Sequence, residues 1–176
     1  MRRFLLLMTC AAALLAADGP QFTADGQLLL PKDYREWVFV TSGLGMTYGL
    51  PEAAQPQEPR FDNVFVSRPA YAAFLATGKW PDETIFVLEV RTSQSKASIN
   101  KGGHFQSDLV AIEAEVKTGG KWAFYGFGTG SATGKQFPAS ATCYSCHAQH
   151  GAVDNTFVQF YPTLLSVART KGTLKP

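Results

Sequence analysis

Cysteine is scarce in this chain. There are three in 176 residues, and one of them, Cys10, lies in an apolar stretch at the N-terminus. The other two, Cys143 and Cys146, are too few and too close together to build a disulfide framework, so they need another purpose. An excess of charge of one sign is also missing. Lys and Arg number 16 against 14 Asp and Glu, and the balance is even once Arg2 and Arg3 are set aside. With no basic run or stripe, nucleic acid and anionic membrane surfaces are excluded as partners. The longest apolar run, Phe4 to Leu15, is too short for a comfortable bilayer span, which predicts a soluble rather than membrane-embedded protein. Methionine is rare as well, with only Met46 beyond that run. No internal repeat is present.

The N-terminus reads as a secretory signal peptide over residues 1–17. Arg2 and Arg3 make the charged start, Phe4 to Leu15 the apolar stretch, and Ala16 and Ala17 the small residues before cleavage at Asp18. Cys10 raises the alternative of a lipoprotein signal, but Thr9 before it is unfavourable. The expected location is therefore the periplasm, and residues 18–176 form one domain. Their aromatic content is high, with 13 Phe, 6 Tyr and 3 Trp across the chain, enough for a core and for an enclosure around a large ligand.

In an exported chain, Cys143-Tyr144-Ser145-Cys146-His147 is the attachment signal of a c-type haem. Two thiols three residues apart share one side of a helical turn, where each can form a thioether with a haem vinyl group. The histidine that follows is placed to ligate the iron from below. One covalently bound haem c is thus expected, with His147 as the metal ligand. A zinc site built from Cys143, Cys146, His147 and His150 competes poorly, because zinc pairs usually separate their halves by a dozen or more residues. A dithiol redox pair belongs near the front of a βαβ unit, which this chain lacks.

Patterning predicts an α+β fold, mainly an antiparallel β-sheet of four or five strands with flanking short helices and a C-terminal helix. Strands are expected over Trp37–Thr41, Phe61–Val66, Thr84–Thr92, Phe105–Val116 and Lys121–Phe127, the last two joined by Thr118-Gly119-Gly120. Helices are expected over Pro31–Glu36, Arg68–Thr77 after a Ser67 cap, and Cys143–His150 behind a cap at Ser140 or Thr142. The last helix shows Phe157, Phe160, Tyr161, Leu164, Leu165 and Ala168 at helical spacing, with a kink or fresh start at Pro162. The strand content sets the chain apart from all-helical small cytochromes.

Several blocks carry a resemblance. Leu28-Leu29-Leu30-Pro31-Lys32-Asp33-Tyr34-Arg35-Glu36-Trp37, Asn63-Val64-Phe65-Val66, Lys121-Trp122-Ala123-Phe124-Tyr125 and Asp154-Asn155-Thr156-Phe157-Val158-Gln159-Phe160-Tyr161-Pro162 occur in the order seen in the cytochrome P-460 family, which this chain resembles. The resemblance implies a periplasmic, mostly β, dimeric mono-haem protein whose iron is held by His147 and open on its other face. Members that oxidise hydroxylamine carry a lysine cross-linked to the haem edge. Aligning the Asp82–Val90 segment puts Leu88 where that lysine would stand, with Lys79 and Lys96 only flanking. Without it, the chain is more similar to the beta-type cytochromes c-prime, whose apolar distal pockets take small neutral gases such as nitric oxide.

Alternation places Phe86, Leu88 and Val90 on one strand face, which under this alignment forms a distal wall together with Phe61. Glu89 then points the other way as a surface or structural charge. Met46, His104 and His150 are weighed as sixth ligands, and each has a plainer reading as a loop or surface residue. Glu113 reads either as a proton-handling group or as part of a solvated strand face, and the second is preferred. The expected function is binding of a small gaseous or nitrogenous ligand, nitric oxide above all. The alternatives are a hydroxylamine or nitric oxide oxidoreductase, or an electron carrier, both with a partner cytochrome for redox exchange.

Overall fold

The computed structural model describes residues 19–48 and 58–175; the predicted leader, Cys10 and much of the Gly- and Pro-rich loop before Pro59 lie outside the described residues. Seven strands form one antiparallel sheet in the order β1-β7-β6-β5-β4-β3-β2. They are β1 (Leu28–Leu29), β2 (Val38–Leu44), β3 (Phe61–Val66), β4 (Ile85–Gln94), β5 (Phe105–Thr118), β6 (Lys121–Gly128) and β7 (Thr133–Gln136). Helix α1 (Arg68–Thr77) crosses between β3 and β4, and α2 (Thr142–His150) and α3 (Pro162–Lys171) follow the sheet. The α+β architecture with a C-terminal helix is as expected. The two additional strands, β1 and β7, are short and pair mainly with each other and with β6, so neither had room to show an alternating pattern.

Local chemistry explains the joints. β5 and β6 meet through Gly119 and Gly120, whose φ values of 57° and 75° suit the two-residue hairpin turn between Thr118 and Lys121. Helix α1 ends at Gly78, left-handed at φ 72°. Pro162 starts α3 afresh; Phe157, Phe160 and Tyr161 lie ahead of it, around a 3-10 turn over Val158–Phe160. The residue preceding α2 at its cap is Ala141, with no side-chain hydrogen bond, so neither Ser140 nor Thr142 caps that helix. No helix among the described residues is long and apolar enough to cross a membrane.

The central strand β4 is buried on both faces. Phe86 joins Trp80, Trp122, Phe124, Tyr161 and Leu164 in the core on the helix side. Ile85 and Val87 join Leu28, Tyr34, Trp37 and Phe127 on the other. Glu89 points to this second side and is 4% exposed. It accepts hydrogen bonds from Tyr34 Oη, from Arg35 Nε at 2.8 Å and from Arg91 Nε, so it is a structural charge. Burial alone would raise its carboxyl, but the bonds from Arg91, Tyr34 and Arg35 outweigh that and hold it below the ordinary value of 4.5.

Glu89→Gln should therefore cost about 1.5–3 kcal/mol at neutral pH, the range for hydrogen bonds to a charged group. A depressed folded pKa gives stability that is complete above the unfolded pKa and is lost as pH falls through the folded one. Denaturant unfolding should show the gap between wild type and variant closing below about pH 4. A gap that persists undiminished at pH 3 would count against this ion cluster as its source.

Candidate haem site

Helix α2 presents Cys143, Cys146 and His147 to a single cavity of about 620 Å³, within the usual range of roughly 300–1,000 Å³ for small-molecule and cofactor sites. Spacings of three and four residues put these side chains on one helical face. Tyr144 anchors the helix to the sheet, its ring edge-on to Phe124 on β6 at 4.8 Å. Both cysteines are free thiols, and burial pushes the Cys143 thiol up.

The His147 ring packs between Phe124, at 4.6 Å between centroids, and Phe157 at 4.4 Å. Its Nδ1 lies 2.9 Å from the Asn155 carbonyl oxygen. A carbonyl can only accept, so Nδ1 carries the hydrogen and Nε2 keeps its lone pair, the tautomer a metal requires. That carbonyl is presented by a tight turn in which Asp154 and Asn155 are both left-handed, at φ 46° and 62°. The turn is held by Trp80 Nε1 donating to Thr156 Oγ1 at 2.8 Å and by Lys117 Nζ donating to Asp154 Oδ2 at 2.6 Å. Gly151 makes room for it, since a Cβ there would lie 2.5 Å from the Asn155 carbonyl carbon. Burial would lower the His147 pKa, but Glu115 and the Asn155 carbonyl outweigh it and the net shift is upward.

The sheet supplies the rest of the enclosure. Phe86 and Leu88 line the cavity, as alternation on β4 expects, whereas Phe61 does not. On β3 the cavity is lined by Asp62 and Val64, so Phe61 falls on the opposite face by the two-residue period of a strand. Leu88 pairs across the sheet with Val64 on one side and Glu113 on the other. Glu113, expected on a solvated strand face, instead lines the cavity, and its accessible surface lies there. Burial raises its carboxyl, and burial also raises Asp62, to about 6, against the pull of Arg60. Two carboxyl groups therefore line the cavity, Glu113 directly opposite Leu88 and Asp62 opposite Val90 two residues further along β4, and the expected apolar pocket is corrected. The signal for Asp62 in the sequence is strand parity, which puts it on the same face as Val64.

Met46 also lines the cavity, folded over Gly43, where a Cβ would come within 2.6 Å of its sulfur. It is thus more than a loop residue. His150 is exposed outside the cavity, and His104 lies 3.5 Å from Glu58 with its side chain 31% exposed. Among the described residues no group of three or more His, Cys, Asp and Glu side chains is arranged as a metal cage, which leaves the zinc reading without a geometry.

The arrangement fits a haem: two free thiols and a tautomer-fixed imidazole on one helical face, opening on an aromatic-lined cavity of suitable size. Comparison with curated proteins finds no match. The family model described as cytochrome P-460 matches residues 31–158, well over half of the chain and the whole of the Cys143–His147 motif. The chain therefore belongs to the cytochrome P-460 family, whose cofactor is a haem iron.

Proposed function

We propose that the protein is an exported mono-haem c-type cytochrome that binds a small neutral ligand, nitric oxide foremost, on an iron with one open face. In this reading Cys143 and Cys146 carry the two thioethers and His147 Nε2 ligates the iron. Residues 1–17 direct export to the periplasm. The observation that carries the reading is the convergence of those three side chains on one cavity with Nδ1 of His147 already committed to Asn155. Bound haem supplies an iron that takes a diatomic gas and changes valence by one electron. The chain supplies the enclosure. Phe86, Leu88 and Val64 form the apolar part of its wall, which itself offers no hydrogen bond to a charged ligand and so favours a neutral one. Phe39 and Leu44, about half exposed on the edge strand β2, leave apolar surface for a second copy of the chain and support a homodimer.

A second reading, oxidation of hydroxylamine or nitric oxide with electrons passed to a partner cytochrome, is favoured by one observation. Asp62 and Glu113 line the same cavity as Leu88, and burial raises both carboxyls, Asp62 to about 6, which suits a group that takes a proton from a nitrogenous substrate. Leu88 in place of a cross-linking lysine counts against it.

The ferrous absorption spectrum with and without carbon monoxide tests the reading. A high-spin, five-coordinate spectrum that converts fully on adding the gas is expected. A low-spin spectrum indifferent to carbon monoxide, restored to responsiveness by Met46→Ala, would instead make the protein an electron carrier with Met46 as sixth ligand. Steady turnover of hydroxylamine by the purified holoprotein would move the conclusion to the oxidoreductase.

A further inference from the structure

Glu115 is a buried acid with no hydrogen-bond donor assigned to its inner oxygen. It sits on β5 between its cross-strand neighbours Phe86 and Phe124, and is 8% exposed. Its Oε2 has no hydrogen-bond partner, yet lies 3.2 Å from Nδ1 of His147. Among the described residues no lysine or arginine forms an ion pair with it. A carboxylate enclosed by aromatic rings is costly unless a donor compensates it, and the imidazole N–H is the donor at hand.

The single hydrogen on Nδ1 thus faces two acceptors. The Asn155 carbonyl takes it with good geometry at 2.9 Å, on a turn fastened by Lys117 and Trp80. The Glu115 carboxylate stands beside it on the rigid sheet. The two acceptors differ in kind. A carbonyl leaves the imidazole neutral, whereas a carboxylate draws the hydrogen towards itself and gives the ring imidazolate character. A more electron-rich ligand favours the oxidised metal.

We infer that Glu115 is a positioning residue that shares the Nδ1 hydrogen of His147 with Asn155 and thereby lowers the reduction potential of the haem iron. The inference rests on the proposed ligation by His147. It assigns a role to a cavity-lining side chain that does not attach the cofactor.

The test uses purified holoprotein, with spectroelectrochemical titration and ferrous resonance Raman spectra of wild type, Glu115→Gln and Glu115→Asp. Glu115→Gln should shift the ferric-to-ferrous equilibrium at least tenfold towards ferrous, about 59 mV for one electron. It should also lower the iron–imidazole stretching frequency, which loss of a remote charge would not do. Glu115→Asp, which keeps the charge, should recover part of both shifts. A ferric-to-ferrous equilibrium within twofold of wild type together with an unmoved stretch would overturn the inference and leave Asn155 as sole acceptor. If Glu115→Gln fails to retain haem, the wild-type stretch still decides. A frequency displaced towards that of a haem–imidazolate complex supports the inference, and one equal to that of a neutral imidazole complex overturns it. Absence of any iron–imidazole band in the wild type would take down the ligation by His147 as well, an outcome distinct from a band that ignores Glu115.

Discussion

Replacing Cys143 and Cys146 together by serine should abolish covalent haem completely. Thioether formation needs a thiol that adds to a vinyl group, and a serine hydroxyl is too poor a nucleophile for that addition. Both side chains line the same cavity as His147, and no other cysteine lies among the described residues, so nothing nearby can substitute. After maturation in an export-competent host, acid-acetone should extract no haem from the wild type and all of it from the double variant. Each single variant should keep its haem through one remaining bond. In the double variant His147 and the aromatic walls can still hold haem loosely, so extraction under denaturing acid is a better readout than colour. Haem that leaves the wild-type protein in acid-acetone would remove covalent attachment from the account.

The second large effect separates two neighbours on one strand. Phe86 is 2% exposed, with its ring edge-on to Trp80 at 4.8 Å and within about 6 Å of both Trp122 and Tyr161. Truncating it leaves a hole inside this aromatic cluster, so Phe86→Ala should cost about 3–5 kcal/mol. Against a total stability of roughly 5–15 kcal/mol for an ordinary domain, that loss is severe. Leu88, two residues on, is only partly buried and borders the cavity. Leu88→Ala removes fewer packing contacts and should cost clearly less in denaturant unfolding. Its main effect should fall on carbon monoxide rebinding after photolysis, because it opens the wall flanked by Val64 and Glu113. If Leu88→Ala proved the more destabilising and left rebinding unchanged, Leu88 would belong to the core and the cavity would be bounded elsewhere.

The contrast between these two residues also shows how far alternation reaches. It put Phe86 and Leu88 on one face because successive strand residues point to opposite sides, a rule that needs no tertiary information. On β3 the same rule puts Asp62 and Val64 on one face and Phe61 on the other. Which of the two faces meets the cavity is set by register, and a shift of one residue turns the strand over. The short strands β1 and β7 left no periodic trace. Met46 reads from the sequence as a loop residue or a possible ligand, while its seat against Gly43 depends on how the chain turns at the end of β2.

By itself the sequence determined the haem motif and the antiparallel sheet with its C-terminal helix, because each is written in the spacing of neighbouring residues, and its blocks carried the resemblance to the family. The tertiary structure decided what surrounds His147. Asn155 and Glu115 approach one nitrogen from a turn and from a strand lying 40 residues apart in the chain, and Asp62 and Glu113 reach the same cavity from strands with β4 between them. Such meetings depend on strand register and on a left-handed turn held by distant side chains, and no local pattern of hydrophobicity records them.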